Sequence, residues 1–303
     1  MRAPRPLAAR RRGASIIEIL VVLGLAGLVA AALVRMLLSQ TRLFERQSAD
    51  QDARATARAA LGLLASDLRM VDGVGGIVAA SAQSFTARVP YAMGILCRAD
   101  PAVVSFLPGI AALDPNPTGL GNKEGPYGYA WRDSVSGAYQ YVEAGAVSAR
   151  RATPIEAAAC TGAGIITLTA AGGTADVRVL DPAVVAAGAA IPRVGSPLFL
   201  YQRINYRFEP AADPAGTTVL RRAVQRRTAA EESDLVAGPF DPATAFGYHV
   251  GAANTLTAAP AAADLPQLRG VAFTLVGRSE RVVPGTSQPA SQGLSTAVYF
   301  HNR

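Results

Sequence analysis

Residues 14–34 read ASIIEILVVLGLAGLVAAALV, 21 residues carrying one charge, Glu18. At 1.5 Å per residue a helix of this length spans about 31 Å, close to the hydrocarbon thickness of a bilayer. Upstream lie Arg2, Arg5, Arg10, Arg11 and Arg12, and Arg35 ends the run. Positive charge on the N-terminal side predicts that this end stays cytoplasmic and the rest is exported.

The same arginines change the meaning of the net charge. The formal +7 of the 303 residues falls to +2 once these five are set aside. A high isoelectric point therefore does not by itself imply nucleic acid or acidic lipid as a partner. No proline occurs between Pro6 and Pro90, and prolines recur often afterwards. That pattern predicts one long helix followed by a turn-rich β region, large enough for one good-sized domain or two small ones.

Three readings fit a basic stretch followed by an apolar one. A secretory signal would be cut near Ala30-Ala31-Ala32. A plain signal anchor would not be cut. The third is a prepilin leader. Glu18 separates them, because a carboxylate inside a membrane span costs about 2.5–3.5 kcal/mol at the helix centre and less toward its ends. An ordinary signal or anchor gains nothing from such a charge, whereas a buried charge that persists has a partner.

The string Arg11-Arg12-Gly13-Ala14-Ser15-Ile16-Ile17-Glu18-Ile19-Leu20-Val21-Val22 resembles the processing motif of type IV prepilins and type II secretion pseudopilins. The resemblance implies cleavage by a prepilin peptidase between Gly13 and Ala14, N-methylation of Ala14, and Glu18 as the fifth mature residue. Ala14 replaces the phenylalanine or methionine usual in that family, and Arg35 stands where a proline is often found. The departure at Ala14 leaves the cleavage site intact and suggests a less typical, minor subunit. The new α-amine stays charged when methylated. In an assembled filament it can pair with Glu18 of a neighbouring subunit, each charge expensive alone and tolerable together. Such a pair would favour one axial register. Gly24 and Gly27 would allow close helix contact or local unwinding.

Residues 35–70 lack proline, contain one glycine (Gly62) and are rich in good helix formers. Phe44, Ala55, Ala59, Leu63, Leu64 and Leu68 suggest an apolar stripe, and Asp50 and Arg54 sit at i, i+4 spacing. The helix is expected to run from 14 to about 70 and to stop at Asp72-Gly73-Val74-Gly75-Gly76.

Beyond it, Ser84–Val89 alternates as a strand does. Tyr129–Val135 and Ala138–Val142 flank Ser136-Gly137, read as a two-residue hairpin turn. Tyr127, Tyr129 and Trp131 would share a face with Tyr139 and Tyr141 lying across from them, either as an exposed platform for a glycan or partner or, preferably, as cross-strand packing. Ile204, Tyr206 and Phe208 alternate inward, and Val219–Val224 is expected to pair with them. Arg203, Arg207, Arg221, Arg222, Arg226 and Arg227 gather positive charge, preferably read as a solvated face balanced by Glu209, Glu231 and Glu232; DNA is not expected as a partner. Val271, Phe273 and Leu275 form a further strand, followed by Leu294–His301. The order also resembles PilW-type minor pilins and J-type pseudopilins, through Asp67-Leu68-Arg69, a tyrosine-containing strand, Leu220–Arg222 and a final Asn302-Arg303. Residues 90–195 resemble nothing so identified.

Cys97 and Cys160 are the only cysteines. In an oxidising compartment their simplest reading is a disulfide, with free buried thiols the alternative. His249 and His301 stand far apart and match no metal-ligand spacing. Asp181, Asp213, Asp241 and Asp264 lie next to or near prolines and read as turn residues rather than calcium ligands. No catalytic motif, cofactor site or metal site is expected.

These expectations define an α+β chain: a basic leader 1–13 that is removed, a transmembrane half-helix 14–34, an amphipathic half 35–71, and an exported antiparallel β-rich domain 72–303. The resemblance implies a non-enzymatic minor type IV pilin of the inner membrane and then the pilus, its domain in the periplasm. It would take part in pilus initiation or the pilus tip, with the prepilin peptidase and other pilin subunits as partners. The close alternative is a minor pseudopilin of a type II secretion system. A soluble exported enzyme or binding protein, or an anchored protein that never polymerises, are the other classes.

Overall fold

The structure, a computed structural model, describes residues 15–99, 103–108, 127–134, 136–143, 148–153, 160, 177–181, 192–212, 216–225, 231–283 and 285–300. It opens with one helix, α1 (Ile16–Arg69), of 54 residues. At 1.5 Å per residue it is about 81 Å long. The absence of proline and the alanine and leucine content explain its continuity. It ends where Met70 N–H bonds back to the Asp67 carbonyl and Val71 N–H to the Leu68 carbonyl, and the glycine-rich turn follows, with Gly75 at φ +79. A side chain there would be strained.

The strands among the remaining described residues form one large antiparallel sheet. Its strands are β1 (Ile77–Ala80), β2 (Ser84–Ala99), β3 (Val104–Pro108), β4 (Gly128–Arg132), β5 (Tyr139–Val142), β6 (Ser148–Arg151), β7 (Arg178–Asp181), β8 (Pro197–Pro210), β9 (Thr218–Gln225), β10 (Glu232–Phe240), β11 (Ala245–Val250), β12 (Thr255–Thr257), β13 (Leu268–Val282) and β14 (Pro289–Tyr299). The main path runs β12-β11-β13-β10-β9-β8-β2-β3-β7-β6. In addition β1 pairs with β2, β14 with β13, β4 with β8, and β5 with β4. A helix set on an antiparallel sheet makes the chain α+β.

The second half of α1 lies on one face of this sheet. Ala49, Ala53, Ala57, Ala60, Leu64 and Leu68 are buried there, spaced by three or four residues as one helix face requires. They meet Phe85, Ala87, Ile204, Tyr206, Phe208, Leu220, Phe273 and Leu275 from the strands. The expected stripe needs correcting. Leu63, Leu64 and Leu68 belong to it or border it, but Phe44, Ala55 and Ala59 are exposed. Small side chains decide the contact face because the helix comes very close to β13. A Cβ on Gly277 would stand 2.1 Å from the Ala53 carbonyl oxygen. A second core gathers Tyr91, Leu96, Phe106, Tyr129, Trp131, Leu198 and Leu200 at the β3–β4 end.

Two strand expectations change in detail. The Ser84–Val89 strand continues to Ala99, and Pro90 is absorbed by a register shift against β8 between Pro90 and Ala92. Proline in a strand is tolerated at such an irregularity. The hairpin is wider than two residues, since the last strand pair is Arg132 with Tyr139, followed by a bond from Asp133 N–H to the Ala138 carbonyl. Gly137 supplies a positive φ of +72 within it.

Candidate functional site

The first half of α1 is bare. Every residue from 15 to 48 is exposed, including Ile16, Leu20, Leu25, Leu28 and Leu37. This helix is long and apolar enough to cross a membrane. Glu18 lies in its first described turn, exposed among isoleucine and leucine side chains. Gly13 and Ala14 lie outside the described residues, as do the leader arginines.

Where the helix ends, three polar side chains pin it to the sheet. Asp67 belongs to the last turn of α1 and is only 8% exposed. A carboxylate there faces the negative end of the helix dipole and is disfavoured on its own. The Tyr206 hydroxyl of β8 donates to its Oδ2 at 2.5 Å. Arg222 Nε of β9 approaches the same oxygen at 3.3 Å and the Tyr206 oxygen at 3.1 Å. Burial raises the Tyr206 pKa, and the negative Asp67 adds to the rise, so the phenol stays protonated and keeps donating. Burial alone would lower the Arg222 pKa. The Tyr206 oxygen and Asp67 outweigh it, and the guanidinium is held above its ordinary value. One carboxylate thus joins the helix to two strands.

This cluster divides the arginines expected to form one patch. Arg221 and Arg222 are neighbours in β9 and therefore face opposite sides. Arg222 turns toward α1. Arg203, Arg207 and Arg221 share the other face, where Arg207 meets Glu209 and Glu231, and Arg221 meets Glu209 at 2.9 Å. Arg203 approaches Glu143 at 3.8 Å and donates to the Tyr127 hydroxyl. The face is charge-balanced rather than purely basic. Arg226 and Arg227 lie outside the described residues, and nothing is described of the Glu232 side chain.

The aromatic residues also separate. Tyr129 and Trp131 stack with centroids 5.8 Å apart and are buried in the second core. Burial pushes the Tyr129 hydroxyl up to about 12. Tyr139 and Tyr141 do not lie across from them. Register places these two opposite Arg132 and Ala130, on the other face of the hairpin, because side chains alternate along a strand. They are half-buried near Phe199 and Tyr201. No flat exposed platform forms.

Cys97 and Cys160 are bonded, with S–S 2.12 Å, and are buried with Val177. His249 Nε2 lies 3.4 Å from the Tyr299 hydroxyl; His301 is outside the described residues. Asp241 accepts from Ala243 N–H, and Asp264 from Ala261 N–H, as turn residues do. Asp213 is not among the described residues, and the Asp181 side chain is likewise not described. Asp50 accepts from Gln292 in β14 at 3.2 Å. Among the described residues, no group of three or more His, Cys, Asp or Glu is placed to hold a metal ion.

The Asp67–Tyr206–Arg222 cluster is the part of the site that sequence reasoning did not assemble. Its signal was present, since Asp67 and Arg222 both interrupt apolar positions on inward faces. A charge on such a face requires a partner. Compared with family models, with curated proteins and with solved structures, the chain shows no match.

Proposed function

We propose that this chain is a minor type IV pilin-like subunit, a non-enzymatic component that joins a pilus or a related filament through the first half of α1. One observation carries the reading. An unbroken helix presents a wholly exposed first part, whose residues 15–34 are apolar but for the single carboxylate Glu18, while its other half is seated on a folded sheet domain. Apolar surface of that extent is not left in water. A bilayer solvates it before assembly and neighbouring helices cover it afterwards. A helix is the right element for both, because its backbone polar groups are satisfied internally.

In this reading the peptidase cuts between Gly13 and Ala14. Glu18 then pairs with the Ala14 ammonium of the adjacent subunit and sets axial register. The β-rich domain, with its disulfide, lies on the oxidising side of the inner membrane. The Asp67 cluster keeps the helix at a fixed angle to the domain, so that force and position pass between them.

N-terminal mass analysis of the membrane-derived protein tests the reading. A chain beginning at methylated Ala14 is expected; one beginning near Leu33 would sink it. Glu18→Ala should leave cleavage intact and abolish incorporation into filaments. Normal incorporation of that variant would remove the pairing role. Co-purified subunits, from either a pilus or a type II secretion machine, decide which filament is served.

A further inference from the structure

The turn after α1, the β4–β5 hairpin and β8 enclose a cavity of about 210 Å³. Tyr139, Tyr141, Phe199 and Tyr201 line it, together with Met70 and Asp72. The rings form a continuous chain. Tyr139 meets Phe199 at 5.6 Å and 64°, and Tyr141 at 6.4 Å and 37°. Tyr141 meets Tyr201 at 5.6 Å and 76°. Such angles make walls around a volume, not a flat stacking surface. The Tyr201 hydroxyl is turned away to the Val142 carbonyl.

Asp72 supplies the charge. It is only 5% exposed, and the backbone N–H groups of Val74 and Gly73 hold its carboxylate. Burial is the largest influence on it and raises its pKa, so its ionised form is short of solvation. Arg132 offsets part of that rise, but the hydrogen bonds described for the two nearby arginines go to other acceptors. Arg88 bonds to Glu143 at 2.5 Å and to the Gly75 carbonyl, and Arg132 donates to the Gly137 carbonyl at 2.8 Å. Arg88 also lies 4.7 Å over the Tyr141 ring and 5.9 Å from Tyr201. Two of the cavity's rings therefore already show the cation-facing geometry on this protein.

We propose that this cavity binds a small organic ammonium ion, methylated or quaternary, with the rings facing its methyl groups and Asp72 neutralising its charge. Aromatic walls attract such a cation through their ring quadrupoles, and a desolvated carboxylate adds a favourable ion pair. A sugar is less well served, because it needs an open ring face and exposed hydrogen-bonding groups, and here Tyr201 and Asp72 are both buried. The proposal does not depend on the filament reading.

Calorimetric titration of the full chain in maltoside micelles tests it. The probes are choline and 3,3-dimethyl-1-butanol, its neutral isostere. Choline should bind saturably and at least about ten-fold more tightly than the neutral alcohol, and Asp72→Asn should remove that preference. Tyr139→Leu, at a half-buried position that leaves the Asp72 turn intact, should weaken choline several-fold while the circular dichroism spectrum is unchanged. Equal affinity for the two probes would show an apolar cavity only. No saturable binding of choline in the millimolar range, or wild-type affinity in both variants, would overturn the proposal.

Discussion

The two halves of α1 share a backbone and differ in everything that meets it. From residue 15 to 48 the side chains are large, apolar in their first part, and exposed. From Ala49 onward the side chains that meet the sheet are mostly alanine, and they are buried. The more hydrophobic half is thus the one that does not dock within the chain. Burial in a folded domain requires shape as well as apolarity. The alanine face fits because Gly277 has no Cβ to collide with the helix backbone at Ala53. The leucine-rich half meets no such complement among the described residues, and its surface matches lipid or other helices.

Substitutions can break this contrast, beginning with the largest effect. Leu64→Ala should lower the stability of the sheet domain by about 3 kcal/mol through a cavity in the main core. Leu25→Ala on the bare half should change it by less than about 0.5 kcal/mol. Denaturant unfolding of the full chain in detergent, followed by circular dichroism, reads both. Similar losses in the two variants would erase the distinction between the halves. Gly277→Val should cost about 2–3 kcal/mol by forcing the helix off β13. If the same titration finds it neutral, the close approach at Ala53 is not what seats the helix.

Asp67→Ala should cost about 2 kcal/mol, because it leaves the half-buried Arg222 and the buried Tyr206 hydroxyl without their shared acceptor. A double-mutant cycle with Tyr206→Phe should show coupling, and strict additivity would mean the pin is not a unit. Arg221→Ala, on the outer face, should cost no more than about 0.5 kcal/mol, since its ion pair with Glu209 is solvent-exposed. A loss comparable to that of Asp67→Ala would show that the outer arginine face also holds the fold.

Much of this fold is legible in the sequence. Proline spacing marks where the helix stops, and strict alternation marks Ile204, Tyr206 and Phe208, or Val271, Phe273 and Leu275, as inward-facing. The exact docking face was less legible. Phe44 looks like a core residue by type, and Ala53 does not. Partner shape, not side-chain hydrophobicity, chose between them. The aromatic residues were misplaced for a different reason. A turn at Ser136-Gly137 and the wider loop alike pair odd-numbered with even-numbered positions, so Tyr139 and Tyr141 fall on the face of Arg132 and Ala130, away from Tyr129 and Trp131. Arg222 was grouped with Arg221 because the two are adjacent in sequence, the arrangement that places them on opposite sides of a strand.

Local chemistry was enough to determine the long helix, its apolar first part with Glu18 and the inward faces of the main strands, and it made a pairing of Cys97 with Cys160 the simplest of two readings. These depend on periodicity, on the lack of proline, and on there being only two cysteines. Tertiary structure alone decided which helix face meets the sheet, that Asp67 joins Tyr206 and Arg222 across more than a hundred residues, and that four rings and Asp72 line one cavity. The physical reason is that each of these depends on distances between segments remote in the chain. No local pattern carries those distances until packing brings the segments together.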